Sequence, residues 1–215
     1  MSDIYYTIES LSLGEFKDRG SKFMAYAFPA TSPDQCLLHL EAVRKEHPKA
    51  RHHCFAWRLG NDGNAYRMND DGEPSGTAGK PILGQIDKSG LTDIIIIVVR
   101  YFGGTLLGTS GLINAYRESA ADALSKAVVI EKTVVTRILV EFDYAIMSQV
   151  MNALKKLKTR VEEQTFETGG HVIVSVPKSE TDFWMIKMKA LIAQVSEEEA
   201  AIMGNITGLL IHQMN

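Results

Sequence analysis

The run Ile94-Ile-Ile-Ile-Val-Val99 constrains the fold more than any other stretch of the chain. Consecutive β-branched residues leave no polar face for water, so the run predicts a buried central strand. It leads directly into Arg100-Tyr-Phe-Gly-Gly-Thr-Leu-Leu-Gly108, which reads as a glycine-rich turn. A helix follows through about Lys126, with Thr109 or Ser110 as the expected N-cap and Leu112, Ile113, Tyr116, Ala120 and Leu124 on its inner side.

Upstream, Tyr5–Glu9 and Ser21–Pro29 read as strands. Ser32-Pro33-Asp34 starts a helix, with Pro33 at the first position, where a missing N–H does no harm. Leu37, Leu38, Leu40 and Val43 supply its apolar stripe, and His47-Pro48 ends it. Arg51–Leu59 alternates as a strand, placing His53, Phe55 and Trp57 on one face and His52, Cys54 and Ala56 on the other. Gly60–Gly79, rich in Gly, Asn, Asp, Ser and Pro, reads as one long loop.

A second unit begins near Val134. Its expected elements are a strand at Thr136–Phe142, a helix at Ala145–Leu157, and strands at Val161–Glu167 and His171–Val176 around the hairpin signal Gly169-Gly170. A helix at Thr181–Ala193 and a strand at Ile206–Ile211 complete the order βαββαβ, the ferredoxin-like plan. The expectation is therefore an α+β protein with two domains, residues 1–133 and 134–215.

Composition narrows the function classes. The 215 residues are 45% hydrophobic and 23% charged, with a net charge of -3, so neither wholesale disorder nor a globally basic nucleic-acid binder is expected. A local basic patch remains compatible with that balance, because binding answers to the local field. Two cysteines, Cys36 and Cys54, are too few for a disulfide framework and point to a reducing compartment. There is no signal-peptide pattern, and the longest apolar run is far short of the roughly 20 residues a membrane span needs. The expected location is cytoplasmic, with no membrane partner.

Three constellations carry candidate chemistry. The loop Asn69–Pro81 gathers Asp70, Asp71, Glu73, Ser75, Thr77 and Lys80 with three glycines. Its backbone N–H groups could form an anion-binding nest, with Lys80 adding a point charge. The plainer reading is a turn-rich loop whose side chains bond their own backbone.

The second constellation, Arg100–Arg117, joins a buried strand to a helix N-terminus, where free N–H groups and the helix dipole favour negative charge. Arg100, Tyr101, Gly103, Gly104, Gly108, Thr109, Ser110, Gly111 and Arg117 are its candidate ligand residues, the arginines for phosphate and Tyr101 or Phe102 for stacking on a base. The spacing is neither that of a P-loop nor that of a dinucleotide fingerprint. Tight helix–strand packing and a structural ion pair at Arg100 would equally explain it.

The third, Arg51–Trp57, holds His52 and His53. Adjacent strand residues face opposite ways, so the two cannot share a metal locally, although one of them with Cys54 and a loop carboxylate, Asp71 or Glu73, could serve as acid, base or ligand. The plainer reading is a satisfied core or edge histidine. No cofactor is expected. A divalent metal on the loop carboxylates would suit phosphoester chemistry.

The stretches Ala50–Trp57, Asp71–Pro81 and Val99–Arg117 closely resemble the IMPACT family. The resemblance spans roughly Gly14–Ile130, and the remainder resembles the C-terminal domain of bacterial, YigZ-like members. It implies an N-terminal α/β sandwich with the fold of the second domain of a small-subunit ribosomal protein, also seen in the fourth domain of elongation factor G. It also implies a C-terminal domain similar to that factor's fifth. Eukaryotic members are translation regulators acting under amino-acid starvation, with an extra N-terminal module for the co-activator of an initiation-factor kinase. This chain starts almost directly at the shared domain, so that partner is not expected.

Two function classes follow. The first is a non-catalytic protein, linked to translation, that binds RNA, the ribosome or another phosphate-bearing ligand through the glycine-rich centre. The second is an enzyme acting on a small phosphorylated or nucleotide substrate, using Asp71, Glu73, His52 or His53, and Arg100. A protein–protein module docking at the edge of the second sheet is a third, blander possibility.

Overall fold

In the computed structural model, which describes residues 3–214, the isoleucine run forms the middle strand of a five-stranded sheet. The chain divides into two units, one of residues 4–132 and one running from Thr133 onward and including Asp3.

The first unit contains β1 (Ile4–Ile8), β2 (Ser12–Asp18), β3 (Ser21–Pro29), α1 (Pro33–Glu46), β4 (His52–Leu59), β5 (Ala65–Asn69), α2 (Gly79–Ser89), β6 (Ile94–Tyr101), α3 (Gly108–Lys126) and β7 (Val129–Thr133). The sheet order is β2-β3-β6-β4-β5, antiparallel throughout, and β1 pairs with β7 in a separate ribbon. Ile97 lies opposite Tyr26 on one side and Phe55 on the other.

Because strand side chains alternate, β6 feeds two cores. Ile94, Ile96 and Val98 pack with Phe23, Cys54, Ile82, Ile86, Leu112 and Tyr116 under α2 and α3. Ile95, Ile97 and Val99 pack with Tyr26, Leu40, Val43 and Phe55 under α1. Each such side chain contributes about 1.5–3 kcal/mol of burial, which is why the run dictates the layer order.

Local signals explain α1. The Ser32 hydroxyl accepts from the Gln35 N–H, Pro33 occupies the first turn, and Arg44 and Lys45 lie in the last. Its buried stripe is Cys36, Leu40 and Val43. Leu37 and Leu38, expected in that stripe, are exposed because they sit about 100° and 200° round the helix from Cys36.

Four elements, β2, β5, α2 and β7, depart from the sequence expectation. Strand β5 lies inside the presumed loop, and all its residues are exposed, so no hydrophobic pattern marks it. Helix α2 begins Gly-Lys-Pro, a poor helix former by composition, and is held by burial of Ile82, Leu83 and Ile86. Strand β2 is an edge strand whose Gly14 lets α3 approach closely: a Cβ there would lie 2.3 Å from the Ala123 nitrogen.

Helix α3 also starts differently from expectation. Leu107 occupies the cap position with no side-chain cap, and Thr109 and Ser110 lie exposed within the first turn. Gly108, at φ +71°, turns the chain into the helix, so the hydroxyls come too late to cap it. The inner face is Leu112, Ala115, Tyr116, Ser119, Ala120 and Ala123, with Ile113 and Leu124 only half-buried.

The second unit contains β8 (Val135–Phe142), α4 (Met147–Lys156), β9 (Arg160–Phe166), β10 (Gly170–Pro177), α5 (Thr181–Ala193), α6 (Glu197–Ile202) and β11 (Leu209–Gln213). Its antiparallel order, β11-β8-β10-β9, is that of the ferredoxin-like plan. Ile138, Val140, Val172, Val174, Trp184 and Met188 form its core. The acidic run Glu197-Glu198-Glu199 is the first turn of α6, closed by a reciprocal Ser196–Glu199 capping box. The α+β class thus describes both units.

Candidate functional site

The loop between β5 and α2 encloses an anion, but the anion is its own. Asp70 accepts from the backbone N–H groups of Gly76, Ala78 and Gly79 at 2.9–3.0 Å. Burial works to raise the Asp70 pKa, yet the three donors outweigh it and hold the carboxyl below its ordinary value. The nest expected from the glycines is therefore filled, and it caps α2. Thr77 is buried and donates to the Pro74 carbonyl at 2.7 Å, a turn contact.

Asp71 follows at φ +41° and ties the loop to its neighbours. Its carboxylate accepts the His53 backbone N–H at 2.7 Å and meets Arg44 at 3.1 Å. Its carbonyl accepts from His52 Nδ1 at 2.8 Å. A carbonyl only accepts, so Nδ1 carries the proton and Nε2 is left as the free position of His52. By the same reasoning His53 Nε2 donates to the His47 carbonyl at 3.2 Å. Burial lowers the His53 pKa, partly offset by that carbonyl and by Asp71, so the ring is neutral near pH 7.

Beneath this loop lies a buried polar cluster. Arg100 Nη1 donates to Glu73 Oε1 at 2.6 Å, and the Tyr116 hydroxyl donates to the same oxygen at 2.8 Å. The Cys54 thiol sits 3.0 Å from the Asp70 carbonyl and 3.3 Å from the Tyr116 oxygen. Burial pushes both the Cys54 thiol and the Tyr116 phenol well up, so both stay protonated. The Arg100 guanidinium lies between the rings of Phe23 (5.5 Å) and Phe102 (5.6 Å), and its Nε has no acceptor. An unsatisfied buried donor of this kind costs about 1–3 kcal/mol.

Where β6 ends, the surface opens into a groove of about 630 Å³ lined by Lys49, Arg51, His52, Arg100, Tyr101, Phe102 and Leu106. Lys49 and Arg51 come from the α1–β4 connection and are exposed. Among the described residues neither has an ion-pair partner. Tyr101 is fixed by a relay: its hydroxyl meets His47 Nδ1 at 2.9 Å, and His47 Nε2 meets the Tyr26 hydroxyl at 2.6 Å. The groove thus joins uncompensated positive charge to aromatic surface.

Of the residues expected at the site, His52, Arg100 and Tyr101 come together in this groove. Ser75, Lys80, Thr109, Ser110 and Arg117 are exposed but do not line it, and Arg117 pairs with Asn114 and Glu118. Gly103 is a packing position: a Cβ would fall 1.9 Å from the Gly20 carbonyl carbon. Gly104 (φ +87°) and Gly108 serve loop geometry, and a Cβ at Gly111 would touch Leu107. Among the described residues no three His, Cys, Asp or Glu side chains gather in a way that would hold a metal ion. Lys49 and His47 lie outside the glycine-rich stretches, so only their position just before the Arg51–Trp57 segment could have marked them.

Comparison with known proteins agrees with these shared segments. Residues 19–124 match the Impact N-terminal domain. The chain is 34% identical over 170 residues to the IMPACT family member YigZ of Escherichia coli, covering 78% of this chain and 83% of that protein. The chain belongs to the IMPACT family. It is also 38% identical over 96 residues to the Protein IMPACT homolog of Saccharomyces cerevisiae, covering 42% of this chain and 36% of that one. A crystal structure described as a hypothetical protein aligns over 100% of this chain and 99% of its own, with a TM-score of 0.71 at 28% identity. The match to the yeast protein is confined to a short segment, whereas the bacterial and structural matches extend well beyond it.

Proposed function

We propose that this chain is a translation-linked regulatory protein that binds RNA, alone or within the ribosome, through the groove between Lys49–His52 and Arg100–Leu106. The observation that carries this reading is the pair of exposed cations, Lys49 and Arg51, without counter-charges, beside Tyr101 and Phe102. Cations without carboxylate partners are what a phosphate backbone neutralises, releasing counterions as it binds. The link to translation rests on the family, whose eukaryotic members are translation regulators.

The groove differs from the site first expected. Arg100 is already neutralised by Glu73, so Lys49 and Arg51 supply the net charge. An enzymatic reading has less support, because every acid–base candidate except His52, whose Nε2 is open, is engaged. Glu73 serves Arg100 and Tyr116, and the Asp71 carboxylate serves Arg44 and the His53 backbone. His53 is held neutral.

The test is RNA affinity measured across a salt series. The parent protein should show a linear fall of log affinity with log salt. Lys49→Ala combined with Arg51→Ala should lower the slope by about 1.4, at roughly 0.7 per phosphate contact on a single strand. Lys80→Ala combined with Arg117→Ala, both outside the groove, should leave the slope unchanged. An unchanged slope in the Lys49/Arg51 variant would remove the groove from the account.

A further inference from the structure

We infer that the groove is built for an unpaired RNA strand, with one base stacked on the open face of Phe102. This rests on the RNA-binding reading above and adds the form of the RNA. Phe102 is 57% exposed and lines the charged groove. Its ring is backed by the Arg100 guanidinium at 5.6 Å, which in turn rests on Phe23. The next residue, Gly103, is locked against Gly20 and donates its N–H to the Ser21 hydroxyl at 3.1 Å. The residue before, Tyr101, is held by His47. Phe102 is therefore an exposed aromatic carried on a fixed backbone, with a cation on its inner side.

Such a ring offers a π-face at little ordering cost, and every unpaired base can use it. In a duplex the faces of interior bases are already covered by stacking, so a duplex could meet only Lys49 and Arg51. Leu106, 81% exposed on the same groove, adds apolar surface suited to a base or sugar and not to a phosphate.

The experiment compares three probes: a short unstructured RNA, the duplex formed with its complement, and adenosine monophosphate. Binding is followed by fluorescence anisotropy, with the mononucleotide as competitor. The single strand should bind at least about tenfold more tightly than the duplex, as expected for loss of base stacking. Phe102→Ala should weaken single-strand binding on the order of tenfold, leave duplex binding and the salt slope unchanged, and Phe102→Trp should restore it. Duplex binding as tight as single-strand binding, or a Phe102→Ala variant with parental single-strand affinity, would overturn the inference. If the Lys49/Arg51 salt dependence survived that outcome, the RNA-binding reading would stand alone. Absence of salt-dependent binding to either RNA would end both. Displacement of RNA by the mononucleotide at equal nucleotide concentration would make the groove a small-molecule site and also overturn the inference.

Discussion

Arg100 and Glu73 form an ion pair almost wholly out of water, with 7% and 4% of their side chains exposed and 2.6 Å between Nη1 and Oε1. Taking charges out of water is costly, and the pair persists because Tyr116 adds a second hydrogen bond to the same carboxylate oxygen. Removing one partner leaves the other buried and uncompensated. Glu73→Ala should therefore cost about 3–5 kcal/mol in denaturant unfolding. A loss below about 1 kcal/mol would mean that water reaches the guanidinium.

Asp70 ties the start of α2 to the end of β5. Its pKa lies below the ordinary carboxylate value in the folded protein, so its contribution is fully present above the unfolded value near 4 and is lost as pH falls through the folded pKa. Asp70→Asn keeps one acceptor oxygen but loses the charge and the second acceptor, and should cost about 1 kcal/mol at neutral pH. The gap between variant and parent should narrow below about pH 4. A pH-independent gap in unfolding midpoints would refute the charge argument.

The glycines of the Arg100–Arg117 stretch separate by cause. Gly103→Ala places a Cβ 1.9 Å from backbone, whereas Gly104→Ala meets no atom within 4 Å and bears only the strain of φ +87°. The second change should cost roughly 1 kcal/mol. The first should cost several-fold more, or prevent folding, because the β2–β3 hairpin must move. Equal melting temperatures for the two variants would contradict the packing role.

Both cysteines are buried. Burial pushes the Cys36 thiol up to about 12 and raises Cys54 further. Neither supplies a thiolate near pH 7, so native protein should resist a thiol reagent such as dithionitrobenzoate, and both should react after unfolding. Rapid native labelling of Cys54 would contradict its burial beneath the loop.

How much of this was legible in sequence depended on whether the signal was local. The isoleucine run and the Ser32 cap carry their meaning within a few residues, and both stand as read. Strand β5 and helix α2 do not, because one is wholly exposed and the other is held by contacts from distant residues. At the site, the glycines announced an anion, but only three dimensions reveal that Asp70 supplies it. Arg100 has even parity with Ile96 and Val98 on β6, a hint that it points beneath α2 and α3 toward Glu73. Lys49 carries no motif at all. It enters the site because α1 ends beside the last residues of β6.

The most direct test of the central claim is to titrate a short unstructured RNA into isotope-labelled protein and follow the backbone amide resonances. Shifts should concentrate at Lys49–His52 and Arg100–Leu106, lining the groove at the end of β6. Shifts confined to Lys155 and Lys156 in the last turn of α4, or absent throughout, would contradict the account.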